Sequence, residues 1–313
     1  MNNDPNLKNY EEARKNFSWL EWHKNFSWDK TKKVNYAYEV TNIQAEKFGE
    51  KLAIVSQNPD GKTQNISFAG LATTSDRLAV FFKSTGLKPG ERFALYAPRS
   101  IDYALVLLGA IKVGAVVVPL FEAFGAEAVE DRLNDCQASW IFTSKKLAGN
   151  VNSKKIPSLK STLLQEDLGN ILKTTNPDPL ATHFGDLEAP FMIHYTSGST
   201  AKPKGILLAQ RAMIGHLVTA KYVLDLKEED KYWNTGDPGW ITGMVYNFFA
   251  PLLLGVTIHI YEGAFHPDAW LKFMKNNGIT VWYSTPTAFR LLRFYNVPLN
   301  RSNISELRHI VSA

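Results

Sequence analysis

The sequence predicts an α/β fold built on doubly wound, mostly parallel sheets, and three observations carry that expectation. From Tyr36 onward, short apolar runs alternate with stretches of helical period, the pattern of repeated βα units. Residues 115–118 are apolar at every position, as a strand buried on both faces of a parallel sheet requires. Proline- and glycine-bearing turns separate the runs at close spacing. With 313 residues, 45% of them hydrophobic and 12% aromatic, the chain can bury more than one layered unit.

The elements follow in order. Residues 1–35 form an aromatic-rich extension, where Phe17, Trp19, Trp22, Phe26 and Trp28 stand in a polar, lysine-rich stretch and are expected to pack on the body. Residues 36–313 form that body. A helix is expected over 37–48 and a strand over 52–56. Asn58-Pro59-Asp60-Gly61 then turns the chain into a hairpin partner over 64–68. Helical period returns over 68–84, and Lys88-Pro89-Gly90-Glu91 leads into a strand over 92–96. Ser100 caps the next helix, with Asp102 in its first turn. After the strand at 115–118 come a helix over 126–134 and a strand over 139–143. Residues 144–190, with Asn176-Pro177-Asp178-Pro179, read as a loop-rich connection. An apolar run ending near Tyr195 reads as a strand. Met213, Leu217, Ala220 and Leu224 then place a helix that begins near Leu207. Strands at Tyr232, 256–261, 280–284 and 308–311 and helices over 268–276 and 286–295 complete the pattern.

Composition excludes several classes. The 35 Lys and Arg against 30 Asp and Glu are spread without a basic block, which argues against a nucleic-acid partner. The single cysteine, Cys136, allows no internal disulfide framework, and the seven histidines fall at no metal-ligand spacing. No structural metal is expected. The N-terminus lacks the apolar stretch of a secretory signal. Residues 104–121 imitate a membrane span, yet Lys112 sits inside the run and Gly109, Gly114 and Pro119 punctuate it, so a helix followed by a buried strand is the expected form. A cytoplasmic protein without a membrane partner is expected.

Function is concentrated at residues 191–205, FMIHYTSGSTAKPKG. Tyr195, Thr196, Ser197, Ser199 and Thr200 carry hydroxyls around Gly198, and Ala201, Lys202, Pro203, Lys204 and Gly205 follow. Such a loop offers backbone N–H groups and hydroxyls to phosphate oxygens, with lysines to balance their charge. A solvent-exposed polar loop is the plainer alternative. A second constellation, residues 234–243, packs Gly236, Gly239 and Gly243 around Trp240, Ile241 and Thr242. It can wall a ligand or be a tight turn whose tryptophan fills core. A third, at 282–290, sets Ser284, Thr285, Pro286 and Thr287 at a helix start, where an ordinary cap is an equal reading.

The three segments, in this order, resemble signatures of the adenylate-forming superfamily, which includes acyl-CoA synthetases, luciferases and adenylation domains. Residues 195–205 resemble its phosphate signature, Y-T-S-G-[ST]-T-G-x-P-K-G, and depart from it at Ala201, where glycine is usual. Residues 237–243 resemble the D-x-G-W-[VI]-T-G segment of AMP-forming acetyl-CoA synthetases, and 284–290 the [SA]-x-P-[TS]-A-x-R motif. Arg99-Ser100 and residues 120–124 fit the same branch, with packing an equal reading of both.

The resemblance implies the fold of the superfamily's N-terminal domain, and a ligase that joins acetate to CoA with ATP cleaved to AMP and pyrophosphate. ATP, Mg²⁺ and CoA would be its cofactors and substrates. It assigns ATP phosphates to Thr196, Ser197, Gly198, Ser199, Thr200, Ala201, Lys202, Pro203, Lys204 and Gly205. The acyl and CoA pocket falls to Trp240, Ile241, Thr242, Gly243, Thr285, Pro286 and Thr287. The superfamily's adenine and ribose contacts, its hinge and its adenylation lysine have no counterpart in these residues. The chain is therefore expected to be an N-terminal portion, incomplete at its C-terminus, without the small C-terminal domain, holding no catalytic residue and inactive alone. A ligase for another short- or medium-chain acid, or a non-catalytic remnant, are the alternatives.

Overall fold

A computed structural model of the protein describes residues 4–196, 203–297, 299–300 and 304–313. Its strands are β1 (Leu52–Gln57), β2 (Thr63–Ser67), β3 (Arg92–Tyr96), β4 (Val116–Pro119), β5 (Trp140–Thr143), β6 (Ser161–Leu164), β7 (Pro190–Thr196), β8 (Lys204–Ala209), β9 (Lys231–Asn234), β10 (Thr257–Tyr261), β11 (Val281–Ser284) and β12 (His309–Ser312). They form two six-stranded sheets, ordered β12-β11-β9-β10-β1-β2 and β6-β5-β3-β4-β7-β8. Each sheet is parallel apart from one edge strand. β2 runs antiparallel to β1, and β8 antiparallel to β7.

The two sheets share one core. Helices Phe68–Ser84 and Ile101–Lys112 contribute Leu71, Leu78, Phe82, Leu105 and Leu108 to a cluster that also takes in Ile54 and Ile258 of one sheet and Phe93 and Val117 of the other. Helix Ile101–Lys112 is apolar on every side because both sheets press on it. The lysine that interrupts this run is buried, with its Nζ 2.6 Å from Asp76 Oδ1 on the neighbouring helix. Burial pulls Lys112 down to about 8 against the opposing pull of Asp76. No helix among the described residues is long and apolar enough to cross a membrane.

Several local expectations hold with small shifts of boundary. Helix Phe68–Ser84 is capped by Ser67, whose Oγ accepts from Gly70 N at 3.1 Å, and Ser100 Oγ accepts from Tyr103 N at 3.1 Å. The helix expected over 37–48 divides at Thr41 into Tyr36–Val40 and Asn42–Phe48. Thr41 turns its Oγ1 to Ala37 O at 2.6 Å, satisfying backbone locally where the helix breaks.

Two expectations fail. No helix begins near Leu207; residues 204–209 form β8, hydrogen-bonded back along β7, and the helix spans Ala212–Tyr222. Ile206-Leu207-Leu208-Ala209 is too short an apolar run for periodicity to separate strand from helix, and an available partner strand decided it. The connection over 144–190 is not purely loop. It contains β6, which extends the sheet beside β5, and helix Leu168–Thr174.

In the N-terminal stretch, Phe26 and Trp28 are buried and stack with centroids 4.0 Å apart, while Trp22 meets Tyr222 edge-on at 5.7 Å. Trp19 and Phe17 stay exposed.

Candidate functional site

In sheets of this kind, ligands bind in the crevice beyond the carboxyl ends of the parallel strands. Here the carboxyl ends of the two sheets converge. Arg99, which follows β3, donates from its guanidinium to Thr235 O at 2.7 Å, beyond the end of β9. Thr235 and Ser284 hydroxyls, at the ends of β9 and β11, lie 2.6 Å apart. Trp240 reaches Phe121, beyond β4, with ring centroids 6.0 Å apart.

The turn over 234–243 is fixed by its own backbone. Asn234 accepts from Gly236 N at 2.8 Å and donates to Thr242 O at 3.1 Å, and Asn247 donates to Gly236 O at 2.9 Å. Asp237 accepts from Gly239 N at 2.7 Å, closing an Asx turn through Pro238. Two of its glycines are required by space. A Cβ on Gly239 would fall 2.4 Å from the backbone of Phe121, and one on Gly243 would fall 1.9 Å from Asp237 O. Trp240 is about half exposed (47%) and Ile241 is exposed, so both are available to a ligand. Gly243 is buried and Thr242 half-buried at the start of helix Ile241–Phe248.

Charge gathers at this turn. Burial pulls the pKa of Arg99 down, and Asp237 and Glu122 push it back up. Burial raises the Asp237 carboxyl, opposed by the Gly239 N–H and by Arg99.

The third motif lies beside the turn. Thr285 caps helix Pro286–Phe294, its Oγ1 accepting from Ala288 N at 3.3 Å, with Pro286 in the first turn. Thr285, Pro286 and Thr287 are exposed.

The hydroxyl- and lysine-rich segment belongs to the other sheet. β7 and β8 pair in register, Tyr195 with Gly205 and Thr196 with Lys204, so both stems of that loop are placed. Thr196 and Pro203 are half-buried, and Lys204 and Gly205 exposed. Ser197, Gly198, Ser199, Thr200, Ala201 and Lys202 lie outside the described residues. β4 pairs with β7 at Val117 and Met192, so Phe121 and Thr196, each four residues further on, leave neighbouring strands at one edge of the sheet. That edge is the one from which Phe121 meets Trp240.

Asn247 was not singled out by the sequence, Asn234 entered only as the first residue of the turn, and Arg99 was named beside Ser100 with packing an equal reading. Asn234 ahead of Thr-Gly carried an Asx-turn signal; the link from Arg99 joins residues far apart in sequence and leaves no local trace. Cys136 is buried and its thiol is pushed up to about 11 by that burial, which suits packing. Among the described residues, no group of three or more His, Cys, Asp or Glu could hold a metal ion. A concavity of about 800 Å³ between Pro5, Tyr222, Asp225 and Arg308 sits where β9 and β12 begin, at the end of the sheet away from the crevice.

Comparison with known proteins agrees with this geometry. Residues 42–313 match the family described as AMP-binding enzyme. The chain is 38% identical over 320 residues to an acetyl-coenzyme A synthetase of Bacillus subtilis, covering 99% of this chain and 56% of the relative. It is 30% identical over 330 residues to that of Chlorobaculum tepidum, covering 93% of this chain and 49% of the relative. The chain thus spans about half the length of the curated relatives it matches. A crystal structure of a Brucella canis acyl-CoA synthetase superposes with a TM-score of 0.87 at 24% identity, over 97% of this chain and 57% of that one, and so shares the fold. By its sheets, its paired loops and its match over residues 42–313, the chain belongs to the AMP-binding enzyme family.

Proposed function

We propose that this chain supplies the ATP-phosphate and acyl walls of an AMP-forming acid–CoA ligase whose acid is acetate. The observation that carries the reading is that the stems of a hairpin whose connecting residues are rich in hydroxyls and lysines end at the same carboxyl edge as a rigid glycine turn bearing exposed Trp240 and Ile241. The likeness to relatives named acetyl-coenzyme A synthetase supports acetate.

In this reading Thr196, Ser197, Ser199 and Thr200, with loop amides from Gly198 and Ala201, hold the β- and γ-phosphates. Lys202 and Lys204 offset their charge, and Pro203 and Gly205 shape the loop. Mg²⁺ would arrive with ATP and would offset phosphate charge beside Lys202 and Lys204, a role that needs few protein ligands. An acetate oxygen attacks the α-phosphorus, the bond to the β-phosphate breaks, and pyrophosphate leaves. The CoA thiolate then attacks the acyl carbon and AMP departs. The first nucleophile is already anionic, so positioning and charge stabilisation dominate and no general base is assigned. Trp240, Ile241, Thr242 and Gly243, with Thr285, Pro286 and Thr287, border the acyl group and the pantetheine arm. No residue of this chain is assigned as catalytic, and turnover is proposed for a polypeptide of the relatives' length. The partners are small molecules rather than nucleic acid or membrane, the location is cytoplasmic, and residues 1–35 act as an extension docked on the body.

The test is ATP–Mg²⁺ binding and acid-dependent ATP–pyrophosphate exchange by the 313-residue chain, with acetate, propionate and hexanoate compared. We expect saturable binding and no measurable exchange. Absence of binding at millimolar ATP would contradict the nucleotide reading. Exchange near one per second, a typical lower rate for enzymes, would overturn the proposed inactivity, and a preference for another acid would overturn acetate.

A further inference from the structure

The stems of the β7–β8 hairpin take their register from more than a turn. Seven residues separate the paired Thr196 and Lys204, too many for a tight turn to set the hairpin's register. β8 is an edge strand, with Ile206 and Leu207 exposed, and its far end is tied by Gln210 N donating to Ala189 O at 3.0 Å and by Gln210 Oε1 accepting from Tyr36 N at 2.8 Å. At the opposite end, beside Thr196 and Lys204, a tie comes from the β7 side.

Tyr195 supplies it. Its ring is buried at the end of β7 among Tyr96, Val118, Leu133 and Cys136. Its hydroxyl donates to Asp135 Oδ2 at 2.5 Å and lies 3.2 Å from Arg132 O. The Arg132 guanidinium stands 5.7 Å from the ring centroid. Across the ladder, Gly205 lets the ring lie close, since a Cβ there would come 3.3 Å from Tyr195 Cε1. Asp135 is the last residue of helix Ala126–Asp135, where a carboxylate meets the negative end of the helix dipole. The hydroxyl it accepts gives that placement a purpose.

We propose that Tyr195, tied through its hydroxyl to Asp135, is the positioning residue that sets the crevice end of the β7–β8 hairpin and with it the stem residues Thr196 and Lys204. The inference rests on the nucleotide reading for its function but not for its anchoring.

The experiment compares hydrogen exchange over residues 191–196 and 204–209 in the 313-residue chain with ATP–Mg²⁺ affinity. Tyr195→Phe keeps the ring and removes the hydroxyl, and should speed exchange in both stems about tenfold, the effect of losing one hydrogen bond to a charged acceptor. Exchange over 257–261, in the other sheet, should stay at the wild-type rate. Asp135→Ala should reproduce the change, and Asp135→Asn, which keeps an acceptor oxygen, should restore most of the protection. Tyr96→Phe is the control, because it removes a neighbouring hydroxyl of the same core cluster, one bonded to Phe124 O at 2.6 Å and Asn150 Nδ2 at 2.9 Å rather than to Asp135. It should leave the stems unchanged. ATP affinity should fall about tenfold in Tyr195→Phe and Asp135→Ala only. Stem exchange within twofold of wild type in Tyr195→Phe, or an equal rise in Tyr96→Phe, would overturn the anchor. Faster stems with unaltered ATP affinity would overturn its role in positioning. A wild-type chain that binds no ATP would defeat the nucleotide reading, and the exchange rates would still decide whether Tyr195 holds the hairpin.

Discussion

The glycine turn over 234–243 and the stems of the β7–β8 hairpin are held on opposite plans. The turn over 234–243 is rigid from within: its asparagines, its Asx turn and its glycines lock the backbone atom against atom. The β7–β8 stems are held from outside, by their pairing with each other and by one tyrosine hydroxyl bonded to Asp135. A wall for a small acyl group gains from rigidity, because its shape sets which acid fits. A phosphate-binding segment must approach a highly charged ligand through many donors, and control of its stems suffices to aim it.

The largest difference should appear in glycine substitutions. In Gly243→Ala the new methyl cannot avoid the Asp237 carbonyl at 1.9 Å, so the helix gain of roughly 1 kcal/mol for alanine is outweighed by a clash worth about 3 kcal/mol or more. In Gly205→Ala the nearest atom is Ile193 Cγ2 at 3.0 Å on a side chain that can shift, and stability should change by less than about 1 kcal/mol. Urea denaturation of both variants checks the contrast; equal losses would erase it.

Asn234→Ala removes two hydrogen bonds inside the rigid turn and should cost about 2 kcal/mol, with faster exchange confined to 234–243. Spread of that change into the β7–β8 stems would mean that the loops are one unit.

Acid should act on the two regions with opposite sign. His194, on β7, is buried with its Nδ1 unpartnered and is pushed down to about 4 by burial, from an ordinary 6.5. The unfolded chain therefore binds a proton that the fold refuses between about pH 6.5 and 4. Stability contributed by His194 is full above that window and falls by up to ~1.4 kcal/mol per pH unit on descending through it. His216 and His259, also pushed down to about 4, add losses of the same sign. Asp237, raised by burial, binds its proton more readily in the fold, so its contribution grows as the pH falls. Hydrogen exchange from pH 6.5 to 4.5, corrected for intrinsic rates, should loosen β7 before the 234–243 turn. Simultaneous loosening would break the distinction.

The smallest effect on stability belongs to Trp240. About half exposed, it should cost less than about 1 kcal/mol when changed to alanine. A loss above about 2 kcal/mol in thermal unfolding would make it core rather than wall.

What could be read from the sequence divides along the same line. Helix Phe68–Ser84 and strand β3 were legible to the residue, because cap, period and turn signals are local. β8 was not, since Ile206 to Ala209 suit either a strand or a helix and only pairing with β7 chose. β6 was hidden by its short, partly polar sequence at a sheet edge. Lys112 stood out as a lysine in an apolar run, yet its partner Asp76 lies on another helix and could not be named. The glycine turn was legible as a motif, whereas the ties from Arg99 to Thr235 and from Tyr195 to Asp135 join distant segments and exist only in the fold.

The central claim is that the β7–β8 loop receives the phosphates of ATP while the glycine turn does not. Calorimetric titration of ATP–Mg²⁺ into the 313-residue chain tests it most directly, with Lys204→Ala and Trp240→Ala as the pair. Lys204→Ala should weaken binding by at least tenfold, the effect of one charge-assisted contact to phosphate of roughly 1.5–3 kcal/mol. Trp240→Ala should stay within threefold of wild type. Unaltered affinity in Lys204→Ala, or a larger loss in Trp240→Ala than in Lys204→Ala, would contradict the account.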